Sequence, residues 1–189
     1  MGNRRFSRKR LFEVEKRGQP VDLGSGPGIK DAIVSATQHR NGAEIITEIA
    51  VDLGTSKAVI SSATHDRDPI GVVSGGVAAV TQLTTAKFGI ITEIRVVCME
   101  VAASLANIDL EFGDNGDGVN DTADTGTPTS ITTNCCATIG ADTPVLYDNT
   151  ALLANKYLYI CNGAGDTPDP FTAGKLLIYI HGFVAPADL

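Results

Sequence analysis

The sequence has no tryptophan, only two methionines, and aromatic residues at 5% of its length. It also has no run of about 18 apolar residues, so no transmembrane helix and no membrane partner are predicted. The charged N-terminus has no apolar region behind it, which is not typical of a secretory signal. With 189 residues, 43% of them hydrophobic, we expect one globular domain with a substantial core.

Cysteines are few, and their spacing forms no ligand or redox motif. The four are Cys98, Cys135, Cys136 and Cys161; no CxxC is present, and the adjacent Cys135 and Cys136 are badly placed to pair with each other. Cys98 and Cys161 fall in strand patterns, where a free cysteine behaves as a small hydrophobe. We expect a chain made in a reducing cytosol, without a disulfide framework.

Signatures of catalysis are also absent. His39, His65 and His181 show no HxH or HExxH spacing, and no serine lies in a GxSxG elbow. The glycines at 24–28 do not lead into the Gly-Lys-Ser/Thr of a phosphate loop. We expect His65 in a solvated loop and His181 facing solvent or a subunit. The prediction is therefore no enzyme: no catalytic residues, no cofactor and no metal site.

One loop has the composition of a cation site. Residues 113–126, GDNGDGVNDTADTG, cluster Asp and Asn with glycine, and calcium binds through six to eight such oxygens. The spacing is not that of an EF-hand, because Gly116 and Gly118 stand where Asp or Asn is needed, counting from Asp114. An exposed turn uses the same residue types to satisfy its backbone. The turn is our expectation, and calcium binding is the alternative.

Charge is divided unequally along the chain. The net charge is −7, but residues 1–17 hold seven Lys/Arg and two Glu, a charge of +5, so the remainder carries −12. An acidic body argues against nucleic acid as the main partner. The basic end suits contact with nucleic acid, an anionic membrane or an acidic protein surface, although a short charged terminus is also simply solvated.

Residues 1–30 are predicted to form an N-terminal arm, and residues 31–189 a separate body. Residues 7–17 have the best helical pattern of the chain, with Ser7 as a cap and Gly18 as a stop. The next stretch, 18–30, has four glycines and two prolines, which is typical of an extended linker. Three helical turns are marginal alone, so we expect this helix to dock on another surface, such as a neighbouring subunit.

The body has the pattern of a mostly β protein. Asn41-Gly42, between 31–40 and 43–53, indicates a hairpin, and 141–150 is predicted to be a loop. Eight or nine short strands with turns between them are typical of an antiparallel β-sandwich or jelly-roll-like domain. The other predicted strands lie at 57–63, 71–76, 77–84, 128–139, 157–161 and 175–184, the last with Leu176, Ile178 and Ile180 on one face.

The longest alternating stretch, Lys87 to Leu110, is predicted to be a long strand. Its second face mixes charge with apolar residues, which suits a subunit contact better than open water. The first face holds Ile90, Ile94, Val96 and Cys98, and the second holds Ile91, Glu93, Arg95, Val97 and Met99.

Blocks spread over nearly the whole chain carry a resemblance to a known group of proteins. They are RRFSRKRLFEVEKRG (4–18), ATQHRNG (36–42), VDLGTSKA (51–58), IGVV (70–73), AAVTQLTTAKFGIITEIRVVCMEV (78–101), NIDLEFG (107–113), NKYLYICNGAG (155–165) and FTAGKLLIYIHGF (171–183). In these blocks the chain resembles virion structural proteins of marine contractile-tailed phages that infect cyanobacteria. The shared motifs are strands and turns, so no site residue is carried over.

The resemblance implies a capsid decoration, or cement, protein. Such a protein is made in the host cytoplasm, is located on the capsid surface of the virion and forms a homo-oligomer, here a homotrimer. It is expected to bind the major capsid protein through the N-terminal arm, residues 1–28. The alternatives are a tail, neck or fibre component of the virion, and a calcium- or glycan-binding β-sandwich module used in adhesion.

Overall fold

The computed structural model describes residues 18–26, 29, 33–54, 59–60, 70, 79–103, 107–113, 129–146, 155–162 and 170–184. Within these ranges the chain is mostly β, as predicted, with antiparallel strand pairs and one short helix, α1 (Thr85–Phe88). The strands are β1 (Gln19–Pro20), β2 (Ile33–Asn41), β3 (Glu44–Asp52), β4 (Val59–Ile60), β5 (Thr81–Gln82), β6 (Ile90–Glu100), β7 (Ile108–Gly113), β8 (Thr129–Thr132), β9 (Asp142–Leu146), β10 (Tyr157–Asn162), β11 (Pro170–Phe171) and β12 (Lys175–Phe183).

The strands form a β-sandwich. The main sheet has the order β1-β2-β3-β12-β6-β9, and the second sheet has the order β5-β10-β7-β8, while β11 and β4 pair separately. Apolar side chains from both larger sheets meet in one continuous core, which confirms the predicted fold class. Examples from the main sheet are Ile49, Ile94 and Ile178, and from the second sheet Leu110 and Ile160.

Strand β12 lies at the centre of the main sheet. It pairs with β3 over all nine of its residues, from Lys175 opposite Asp52 to Phe183 opposite Glu44, and with β6 on its other side. Leu176, Ile178 and Ile180 all face the core, as their alternation predicted.

The predicted hairpin is also confirmed. Strands β2 and β3 pair in register from Ile33 opposite Asp52 to Asn41 opposite Glu44. Gly42 has a φ of +65° in the turn, a conformation that glycine adopts without steric cost.

The stretch from Lys87 to Leu110 is not one strand, contrary to the prediction. It contains the end of α1, then β6 in the main sheet, and then β7 in the second sheet. The chain crosses from the main sheet to the second sheet after Glu100. There Ala102 approaches the segment before β12 closely, and its Cα lies 3.3 Å from the position that a Cβ on Gly174 would take. Alternation cannot reveal such a crossing, because both strands have the same period.

The facing of Ile90 and Ile91 is reversed relative to the prediction. Ile91 is 4% exposed and Ile90 is 38% exposed. The cause is a β-bulge: His181 pairs with Glu93 and Gly182 with Ile91, so Thr92 is an extra residue. An extra residue shifts the alternation by one, and side chains beyond it change face.

Residues 18–26 belong to the body, although the sequence assigned them to a linker. They are extended, as expected, but Val21 donates its N–H to Ala36 (3.1 Å) and Leu23 is 6% exposed in the core. The Leu23 carbonyl accepts hydrogen bonds from Thr81 Oγ1 (2.8 Å) and Lys87 Nζ (2.7 Å). The predicted helix at 7–17 lies outside the described residues, as do His65 and most of the acidic loop at 113–126.

Two further predictions between 128 and 150 are wrong in part. The predicted loop at 141–150 contains β9, and the predicted strand at 128–139 is a strand only at β8, followed by turns. Pro144 lies inside β9, which is possible because β9 is at the edge of the main sheet.

We predict that Gly182→Ala destabilises the protein by about 3 kcal/mol, because a Cβ there would overlap the carbonyl oxygen of Phe88 at the end of α1. The matched control is Gly42→Ala, which meets nothing within 4 Å. The control should lose about 1 kcal/mol from its positive φ alone. Urea unfolding measures both, and equal losses would contradict the close packing of Gly182 against Phe88.

Candidate interaction surface

The main sheet buries one face in the core and presents the other, which we call the outer face, to solvent. Rows of side chains cross this face from strand to strand in the order β2, β3, β12, β6, β9. From one end of the sheet to the other, the rows are Asn41, Glu44, Phe183, Ile90; then His39, Ile46, His181, Glu93; then Thr37, Glu48, Tyr179, Arg95, Pro144; then Ser35, Ala50, Leu177, Val97, Asp142; and last Asp52, Lys175, Glu100.

A chain of polar contacts crosses the middle of the outer face. Arg95 forms a bidentate ion pair with Asp142, and its guanidinium lies 6.0 Å from the centre of the Tyr179 ring. The hydrogen bond from Arg95 lowers the pKa of Asp142. Burial raises the pKa of Tyr179, and the neighbouring Glu48 raises it further. These contacts link side chains of four neighbouring strands, β9, β6, β12 and β3.

Two other polar contacts lie toward the ends of the outer face. Lys175 Nζ is 2.6 Å from Glu100 Oε2 and 3.9 Å from Asp52 Oδ2. At the opposite end, His181 Nδ1 lies 3.4 Å from Glu44 Oε1. Exposed pairs of this kind contribute little to stability, because water and salt screen them.

Apolar side chains fill the space between the charges. Val97, Leu177 and Ala50 form one row of neighbours on three adjacent strands, all of them half-buried. Phe183 and Ile90 form an exposed pair at one end, with 43% and 38% of their surface open. Apolar surface that is contiguous over several strands is typical of a contact surface.

The net charge of the outer face is negative. Its side chains include six carboxylates and two permanent cations, a net charge of −4 when the histidines are neutral. The carboxylates are Glu44, Glu48, Asp52, Glu93, Glu100 and Asp142, and the cations are Arg95 and Lys175.

Both edges of the main sheet carry a proline. Pro20 lies in β1 at one edge, and Pro144 lies in β9 at the other. Proline has no N–H to donate to an added strand, which discourages pairing at an edge. A partner therefore meets this sheet more favourably at its outer face than along its edges.

The two histidines that the structure describes, His39 and His181, do not form a metal site. His39 and His181 lie in the same row of the outer face, with Ile46 of β3 between them. In the part of the chain that the structure describes, no group of three or more His, Cys, Asp or Glu side chains is placed to hold a metal ion.

Three of the four cysteines meet at the end of the core, which sequence reasoning missed. Cys136 Sγ lies 3.2 Å from Cys98 Sγ and donates a hydrogen bond to the Glu100 carbonyl (2.9 Å). All four cysteines are buried free thiols, and Cys98 and Cys161 lie in strands as expected. No local signal marks the contact, because it joins residues far apart in the sequence.

The environment of Cys135 and Cys136 opposes ionisation of their thiols. Burial raises the pKa of Cys135 to about 12, and the nearby Asp109 carboxylate raises it further. Burial also raises the pKa of Cys136, followed by its contact with Cys98. A nucleophilic cysteine requires a lowered pKa, so this cluster has the character of a structural contact.

The clefts of the described surface offer little for catalysis. Two shallow clefts have volumes of about 540 and 560 Å³, and Arg40 lines both. Their described lining residues include no carboxylate to pair with Arg40. Neither cleft gathers the convergent polar groups that small-molecule sites contain.

Comparison of the chain with protein-family models, curated proteins and solved structures finds no match. Among the described residues, no helix is long and apolar enough to span a membrane. The fold and the outer face are therefore the findings on which a functional proposal rests.

We predict that the native protein reacts very slowly with a thiol reagent such as Ellman's reagent at pH 8, whereas all four thiols react in denaturant. The raised pKa of Cys135 leaves only about one thiolate in 10,000 at that pH. Absorbance of the released chromophore measures both rates. Rapid reaction of one thiol per native chain would contradict this account of the cluster.

Proposed function

We propose that this protein is a structural component of a phage virion, a capsid decoration protein that binds the major capsid protein as a homo-oligomer and has no catalytic role. The resemblance of the chain to virion structural proteins suggests the setting. The outer face of the main sheet, where apolar rows lie between fixed ion pairs, is the observation that supports an assembly role. In this proposal the face provides a contact surface in the assembled head.

The predicted arm has to be shortened in this proposal. Residues 18–26 are hydrogen-bonded to the body, and Leu23 lies in the core, so only residues 1–17 are left as the basic arm that reaches the shell. Deletion of residues 1–28 would remove core packing as well as charge. A change confined to residues 1–17 separates the two effects.

We expect mass spectrometry of purified virions to find hundreds of copies of this protein per particle, in a fixed ratio to the major capsid protein. Decoration multiplies a modest contact over the whole shell, so high copy number is intrinsic to the role. A handful of copies would instead indicate the tail or neck. Absence from virions would contradict the proposal.

We predict that Leu177→Glu prevents binding to capsids, because it places a charge in the apolar row at the centre of the outer face. The matched control is Thr138→Glu, an exposed position in the turn before β9. Co-pelleting with capsids measures binding, and circular dichroism checks the fold. Wild-type behaviour of folded Leu177→Glu would remove the outer face from the proposal.

A further inference from the structure

The outer face and the N-terminal segment have opposite charges of similar size. The outer face carries −4, and residues 1–17 carry +5. The segment also contains large apolar side chains, Phe6, Leu11, Phe12 and Val14, between its basic residues. A surface with half-buried apolar rows and excess carboxylates is chemically complementary to such a segment.

Two copies of the outer face are not complementary to each other. Contact between them would oppose two net charges of −4 across an interface, and like charges that meet in a contact cost several kcal/mol. Charge therefore favours a basic occupant over a second copy of the same sheet face.

The segment joins the body next to this face. Gly18 precedes β1, the edge strand of the main sheet, and a Cβ on Gly18 would lie 3.2 Å from Cβ of Thr37. Thr37 belongs to the same row of the outer face as Glu48 and Tyr179. The φ of +66° at Gly18 is the left-handed conformation with which glycine redirects a chain.

The face is well within reach of the segment. From β1 to β12 is three strand spacings, or about 15 Å. Seventeen residues extend to about 55 Å. Because the segment is tethered at the sheet edge, its effective concentration at the face is on the order of millimolar, which favours docking on the same chain over docking on a dilute partner.

We propose that residues 1–17 dock on the outer face of the same chain in the free protein, with their Lys and Arg side chains against Glu44, Glu48 and Glu93 and their apolar side chains against the Val97–Leu177–Ala50 row. This inference concerns the free protein and does not depend on the capsid role. If both proposals hold, the shell displaces the segment from its own sheet.

The test is zero-length crosslinking with a carbodiimide, which joins a lysine to a carboxylate only when they touch. The full-length protein is prepared in unlabelled and ¹⁵N-labelled forms, which are unfolded together, refolded as a mixture and crosslinked at low salt. We expect peptides that join Lys9 or Lys16 to Glu44, Glu48 or Glu93, with both halves carrying the same isotope. Their yield should fall as salt screens the contact over a Debye length of about 10 Å at 0.1 M.

Paired substitutions provide the control. Glu48→Gln with Glu93→Gln removes two charges from the outer face, and it should lower the yield of peptides linked at the unchanged Glu44 about fivefold. Glu13→Gln with Glu15→Gln removes the same number of carboxylates from the segment and should not lower it. Mixed-isotope peptides would overturn docking on the same chain in favour of exchange between copies. Absence of linked peptides would overturn the contact itself, whatever the fate of the capsid proposal.

Discussion

The structure depends on one strand being placed between two others. Strand β12, near the C-terminal end of the described chain, pairs with β3 on one side and β6 on the other, so the main sheet is not continuous until β12 is inserted. These pairings join residues 75 or more positions apart, for example Leu177 with Val97 and Tyr179 with Arg95. Long-range pairing of this kind closes large loops and is characteristic of slow-folding β proteins. At Gly182 of β12 only glycine fits, because a Cβ there would overlap the carbonyl oxygen of Phe88.

The two larger sheets differ in how their faces are used. The second sheet is buried on both faces: Leu158 and Ile160 of β10 face the common core, while Tyr159 and Cys161 form a separate cluster on its other side. The main sheet is buried on one face only. Its edges carry Pro20 and Pro144, and its outer face carries the contacts of Arg95 with Asp142 and Tyr179. Of the faces of the two larger sheets, the outer face is therefore the one that the core leaves exposed, and it is continuous because β12 joins β3 to β6.

Alternation in the sequence was sufficient to predict the β2–β3 hairpin, the facing of β12 and the location of β10, because each has a regular period and a clear turn beside it. It was not sufficient for Lys87–Leu110, where two strands of different sheets share one period, or for Ile90 and Ile91, where Thr92 is an extra residue. Residues 18–26 have the composition of a linker, yet they are fixed by Leu23 and by contacts of Thr81 and Lys87. The contact of Cys98 with Cys136, like the rows of the outer face, is created by strand pairing that no local pattern encodes.

Charge illustrates how the structure changes the meaning of a sequence observation. The sequence shows a basic end and an acidic remainder, and either part alone is explained by solubility. Strand pairing concentrates six of the body's carboxylates on one face of one sheet, beside the point where the basic end is attached. Carboxylates that lie close together on a surface repel each other. A cationic group held among them reduces this repulsion more than a cation in bulk solvent does. The cations of residues 1–17 are attached to the chain at this sheet edge. The basic end and the acidic face look independent in the sequence, but in the fold their charges are close enough to interact.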